Sequence, residues 1–147
     1  MVYVLKNEAG SPVSFLILSS SLELVHQIRI ERMQAAEDFN FDRIRALTGS
    51  DQAALNRFTE LFILHTLERD WVALKSSAIK SEGQHVKDMA HKMKASLDLY
   101  NMRRASVLIR DIEQKAFQPY ESYREELNEL DHLLNRIGAQ MKSLLQG

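Results

Sequence analysis

The sequence predicts an all-α protein, an antiparallel up-down four-helix bundle behind an N-terminal extension that is either a hairpin or a helix. Three observations carry this. Five glycines and two prolines among 147 residues are too few for a turn-rich β-sandwich. From residue 39 onward, apolar residues recur at three-four spacing through long segments. The breaks between these segments are short, which makes successive helices antiparallel neighbours. The chain therefore reads as an extension over 1–38 and a helical bundle over 39–147, long enough for one core.

In the extension, Val2-Tyr3-Val4-Leu5 and Val13 to Leu18 flank Asn7-Glu8-Ala9-Gly10, the pattern of a small hairpin. An apolar helix continuing into Leu22 to Glu37 fits the same residues, and periodicity leaves both open. The apolar run from Pro12 to Leu18 is short of the ~20 residues that span a bilayer. Glu8 stands where a signal peptide carries positive charge, and no A-x-A site follows. No membrane insertion is expected.

The bundle begins with a short helix that Asn40 caps and that runs through Leu47. Thr48-Gly49-Ser50-Asp51 stops it and caps the next. One long helix then runs from Ala53 to about Lys80, roughly 42 Å at 1.5 Å per residue. Its apolar set is Leu55, Phe58, Phe62, Trp71 and Leu74, widened by Leu61, Ile63 and Leu64. Ser81-Glu82-Gly83 ends it. A third helix covers Gln84 to Tyr100 and a fourth Met102 to Phe117. After Pro119 a fifth runs from Tyr120 to Leu145, with Tyr123, Leu127, Leu130, Leu133, Leu134, Ile137, Met141, Leu144 and Leu145 inward.

Composition removes several functions. Nineteen basic residues against twenty acidic ones give a net charge of −1, without the basic field of a nucleic-acid binder. The absence of cysteine excludes disulfides and thiolate zinc sites, and fits a cytoplasmic protein. The glycines at 10, 49, 83, 138 and 147 lie too far apart for a phosphate-binding loop. Nothing resembles an ATP-binding kinase domain.

The third helix carries the chemistry. Val86, Met89, Ala90, Met93, Leu97 and Tyr100 form its apolar stripe. His91 is two residues from Met93, about 200° around the helix, and so points away from the core. Lys87, Lys94, Ala95 and Asp98 share its side. An exposed imidazole thus sits between two ammonium groups, next to an alanine that leaves room for a partner. Neutral imidazole is a nucleophile near pH 7, and Lys87 and Lys94 are placed to offset the charge of a phosphorylated product. By default an exposed histidine on a charged face is merely solvated.

The string Ala90-His91-Lys92-Met93-Lys94-Ala95-Ser96-Leu97 resembles the A-H-x-[LM]-K-G/P-S motif of histidine-containing phosphotransfer domains. Phe41-Asp42-Arg43-Ile44-Arg45-Ala46-Leu47-Thr48-Gly49-Ser50-Asp51 is similar to that family's lead into its long helix. Ser106-Val107-Leu108-Ile109-Arg110-Asp111-Ile112-Glu113 resembles the helix packed beside the histidine helix. The resemblance implies that His91 accepts a phosphoryl group from a receiver aspartate and passes it to another receiver, with Lys94 as the neighbouring cation. Lys87, Ala95 and Asp98 would then contribute to docking. The implied partners are response-regulator receiver domains and a hybrid sensor histidine kinase. The chain would carry no cofactor, Mg²⁺ belonging to the receiver. Two positions depart from the family pattern. Ala95 replaces a frequent glycine, favouring the helix by ~1 kcal/mol. Asn101 replaces a turn glycine, and Asn is the next best residue for a left-handed backbone.

A non-catalytic helical docking module in two-component signalling is the competing expectation. A histidine-metal hydrolase is a third, but His85 and His91 are six apart rather than at the four-residue spacing of a helical metal pair. His65 is placed near the apolar stripe, and His26, His85 and His132 at the surface. Glu121, Glu125, Glu126, Glu129 and Asp131 are expected to form a solvated face with Arg124 and Arg136. Met89 and Met93 are expected in the core.

Overall fold

The computed structural model of the chain describes residues 20–30 and 38–146. They fall in two units, one ending at Ala36 and one beginning at Glu37. In the first, residues 20–30 form a helix, α1, whose Leu22, Leu24, Val25 and Ile28 are exposed. The hairpin-or-helix question for Val2 to Leu18 lies outside the described residues. The protein is an all-α helical bundle, with no strand among the described residues. None of their helices is long and apolar enough to cross a membrane.

The second unit opens with Asp38 and Phe39. Both nitrogens of an Arg136 fork bind the Asp38 carboxylate at 2.8 and 3.0 Å, and Phe39 is buried. Asp38 therefore belongs with the bundle by its contacts, one residue before the boundary expected from the sequence. Helix α2 (Asp42–Thr48) has Phe41 rather than Asn40 at its N-cap, and Asn40 Oδ1, one residue earlier, accepts from the Asp42 N–H at 3.1 Å. Gly49 then takes a positive φ of 64°, and Asp51 accepts from the Ala54 N–H at 3.1 Å to start the long helix.

That helix is not uniform. It comprises α3 (Gln52–Phe62), a π-helical stretch (Ile63–Asp70) and α4 (Trp71–Ile79), joined without leaving right-handed helical geometry. The Trp71 N–H donates to the Thr66 carbonyl, five residues back. Leu55, Phe62, Ile63, Trp71 and Leu74 are buried, whereas Phe58, Leu61 and Leu64 are exposed, contrary to expectation. Apolar residues surround this part of the helix, and only one side of it can meet the bundle. His65 is likewise exposed rather than near the core.

Helix α5 (Gly83–Leu99) and helix α6 (Arg103–Gln114) follow. The two turns flanking α5 have the same construction. Ser81 and Asn101 take φ of 59° and 53°, and the next N–H closes back on the Ser77 carbonyl at 2.9 Å or the Leu97 carbonyl at 3.1 Å. Asn101 thus bears the left-handed backbone of this turn, and its Nδ2 donates to Asn40 Oδ1 at 2.7 Å. Helix α6 stops before Phe117. A 3₁₀ turn (Tyr120–Ser122) then precedes α7 (Arg124–Gln146), so the last helix starts later than Tyr120.

Side-chain contacts fix the helix directions. Between the long helix and α5 they run Phe62–Tyr100, with ring centroids 4.5 Å apart, Asp70–Lys92 at 3.4 Å and Ser77–His85. One number rises as the other falls, so the pair is antiparallel. Helix α7 is antiparallel to the long helix by the same test, through Glu68–Lys142 at 2.9 Å and Lys75–Asp131 at 2.7 Å. The core holds Trp71, Leu74, Val86, Met93, Leu97, Ile109, Leu130 and Ile137, with Met89 half-buried and Leu144 exposed.

The acidic side of α7 is only partly a solvated face. Glu121 pairs with Arg124 at 3.1 Å, as expected of exposed neighbours. Asp131 instead accepts from Trp71 Nε1 at 2.8 Å and from Lys75, while Glu126 binds Lys115. Glu129 reaches Arg104. Arg136 turns to Asp38. These carboxylates tie elements together because each lies opposite a cation on or at the end of a neighbouring helix, a relation that helix-face periodicity does not contain.

Candidate functional site

Helix α5 buries Val86, Ala90, Met93 and Leu97, which forces His91 outward, and its side chain is 71% exposed. Three contacts set α5 against α6. Asp98 accepts from Ser106 Oγ at 2.6 Å, His91 Nδ1 meets Glu113 Oε1 at 3.1 Å, and Lys87 Nζ lies 5.8 Å from the centre of the Phe117 ring. In each pair the two residues are equidistant from Met102 in sequence. The helices therefore form an antiparallel hairpin folded at the turn that Asn101 makes.

Glu113 is the residue that sequence reasoning left without a role. Its side chain is 16% exposed, and its second oxygen accepts from Lys94 Nζ at 3.0 Å. Burial pushes its carboxyl upward, but hydrogen bonds from Lys94 and His91, with their charges, outweigh burial and hold it below the usual glutamate range. It is therefore ionised near neutral pH and has only acceptor atoms to offer. The shared contact requires the proton on His91 Nδ1. In the neutral ring, Nε2 then carries the lone pair. A signal for Glu113 exists in the sequence: in an antiparallel helix hairpin turning at Asn101, the residue mirroring His91 across Met102 is Glu113.

The other expected site residues are placed as follows. Lys94 is on the His91 side, but it is committed to Glu113 rather than standing free beside the imidazole. Lys87 is exposed and lies over Phe117, without an ion pair among the described residues. Ala95 is exposed. Asp98 is tied to Ser106 and, at 3.4 Å, to Arg110, while its backbone carbonyl accepts from Arg43 at 2.8 Å. The structure thus joins His91 and Lys94 through Glu113, and places Asp98 in an interhelical network beyond them. His85 bonds to Ser77. Among the described residues, no group of three or more histidine and carboxylate side chains converges as a metal-ligand set.

No protein-family model, curated protein or solved structure matches the chain.

Proposed function

We propose that this chain is a phosphocarrier of a multistep phosphorelay, taking a phosphoryl group from a receiver aspartate onto His91 and yielding it to another receiver. The observation that carries the reading is the pairing of an exposed His91 with an ionised Glu113. Nδ1–H is held by the carboxylate, so Nε2 is the free nitrogen of the neutral ring. In the transfer, the Nε2 lone pair forms the N–P bond while the P–O bond to the donor aspartate breaks, and that carboxylate leaves with the electron pair. Nε2 has no proton to lose. The ring becomes cationic with Nδ1–H retained, and Glu113 faces the positive charge. Lys94 is bonded to Glu113 and lies on the same side of α5 as His91, where its positive charge offsets part of the anionic charge of the product. Mg²⁺ and the remaining catalytic groups belong to the receiver.

The family resemblance around His91 and its antiparallel helix partner support the same reading. A docking module that never carries phosphate is favoured by a different observation, the exposed Phe58, Leu61 and Leu64 on the long helix. One experiment separates them. The chain is mixed with radiolabelled phospho-receiver domains, and the product is tested for acid-labile, alkali-stable label on His91. Such label supports the phosphocarrier. Stable complexes without label on the chain support the docking module.

A further inference from the structure

We propose that Gly83 is a positioning residue for His91: by carrying no side chain it lets the open end of the α5–α6 hairpin close, and that closure keeps His91 Nδ1 within reach of Glu113. The proposal rests on the reading of His91 as phosphoacceptor and concerns what holds its ring ready. Gly83 is the first residue of α5. Its backbone does not take the left-handed φ that calls for glycine, so conformation is not the reason for it. Space is. A Cβ at position 83 would lie 2.8 Å from the Ala116 carbonyl oxygen, 2.8 Å from Phe117 Cδ1 and 3.3 Å from Phe117 Cα. The oxygen and the Cα are main-chain atoms and cannot swing aside as a side-chain tip can.

Gly83 stands on the same side of α5 as the site. Positions 83, 87, 91 and 98 recur at helical spacing, and each meets α6 or the segment just past it: Gly83 at Ala116 and Phe117, Lys87 over the Phe117 ring, His91 at Glu113, Asp98 at Ser106. The hairpin is shut at the Asn101 turn, next to the 2.6 Å Ser106–Asp98 bond, so a wedge at the far end opens it about that turn. From Asn101, Gly83 is about 27 Å along the helix and His91 about 15 Å. Relaxing the 2.8 Å contacts to an ordinary separation of about 3.4 Å needs about 0.6 Å at Gly83, and roughly half of that reaches His91. The 3.1 Å bond between Nδ1 and Glu113 then lengthens to about 3.4 Å, past the usual range of about 2.7–3.2 Å for N–H···O bonds.

The loss is selective. Lys94 is nearer the turn, and its long chain can follow Glu113 through such a shift, whereas the short stem of an imidazole cannot. A wedge at position 83 therefore severs the contact that sets the His91 tautomer and leaves Glu113 paired and ionised. Gly138 makes the contrast. It lies within α7, and a Cβ there would meet only Leu67 Cδ1 at 3.3 Å, the tip of a side chain. It is a helix glycine with no hold on the α5–α6 pair.

The test uses the full chain and reads the imidazole directly. At a pH where the ring is neutral, nitrogen NMR should show His91 Nδ1 protonated in the wild type and in Gly138→Ala, and mixed tautomers in Gly83→Ala. Labelling of His91 by a phospho-receiver with Mg²⁺ should fall about tenfold in Gly83→Ala, as in Glu113→Ala, and no further when the two are combined, because both act through one bond. Adding Phe117→Ala to Gly83→Ala removes one of the two closest contacts and should recover part of the tautomer preference. Circular dichroism is recorded on each variant. A folded Gly83→Ala with the wild-type tautomer ratio overturns the proposal. So do rate losses that multiply in the combined variant, or failure of Gly83→Ala to fold with and without Phe117→Ala, either of which assigns Gly83 to stability alone. The NMR needs no phosphoryl donor, so it decides the role of Gly83 separately from the phosphocarrier reading, which fails if no receiver labels wild-type His91.

Discussion

Glu113 holds two residues of α5 at once, accepting from His91 Nδ1 at 3.1 Å through one oxygen and from Lys94 Nζ at 3.0 Å through the other. The first contact sets which imidazole nitrogen is free. The second keeps the carboxylate ionised and close to the ring. An amphipathic helix alone would present His91 to solvent without holding the proton on Nδ1, so the α5–α6 hairpin supplies the chemical definition of the site.

Glu113→Ala should therefore slow phosphorylation of His91 by about tenfold or more, the worth of a hydrogen bond to a charged group being about 1.5–3 kcal/mol. Glu113→Gln keeps a carbonyl acceptor for Nδ1–H and should lose less. Nitrogen NMR of the ring in the neutral state should show Nδ1 protonated in the wild type and mixed tautomers in Glu113→Ala. The same tautomer ratio in both proteins would remove Glu113 from the positioning of His91.

Lys94→Ala should keep the fold, because Lys94 lies at the edge of the α5–α6 contact and leaves Glu113 its bond to His91. A loss of about 1 kcal/mol is expected for the vanished partner of a partly buried carboxylate. The phosphohistidine should decay or form a few-fold faster or slower than in the wild type, respectively. Urea midpoints and the half-life of label at pH 8 check the two halves separately.

Stability should fall on acidification through a specific set of carboxylates. Glu113 is held low against burial by Lys94 and His91, Glu126 by its bond to Lys115, and Asp131 against burial by Lys75 and Trp71. Because the folded values lie below the unfolded ones, near 4, the unfolded chain takes up protons first as pH drops. The contribution is complete above about pH 5 and is lost as pH falls through the folded values. Thermal unfolding between pH 3 and 7 should show this slope, and Asp131→Asn should reduce it.

Ser81→Gly should stabilise the fold by roughly 1 kcal/mol, since Ser81 bears the left-handed backbone without compensation from its side chain. Asn101→Gly should change stability much less, the relief of strain being offset by loss of the 2.7 Å bond to Asn40. Urea titrations at unchanged m-value measure both.

Much of this was legible in the sequence for a plain reason. The stripe Val86, Ala90, Met93, Leu97 has one helical period, so it fixes the outward direction of His91 without reference to any neighbour. Asn40, Asp51 and Asn101 act through local backbone geometry, which is also written in short strings. The long helix was harder. Its π-helical centre shifts the angular phase of everything beyond Ile63, and Phe58, Leu61 and Leu64 have the composition of a core without its position. Glu113, Asp131 and Arg136 were unreadable from one helix at a time, because their partners His91, Trp71 and Asp38 are on other elements.

The most direct test of the central claim replaces the nucleophile. His91→Gln keeps size and helix propensity while removing the free nitrogen, and because Glu113 retains its bond to Lys94, stability should change by no more than about 1 kcal/mol. Wild type and variant are mixed with labelled phospho-receiver and Mg²⁺, and label and circular dichroism are followed together. The account requires full labelling of the wild type and none of a variant with unaltered helicity. Label persisting on the folded variant would contradict it, by placing the phosphoryl group on another residue such as His65 or His85.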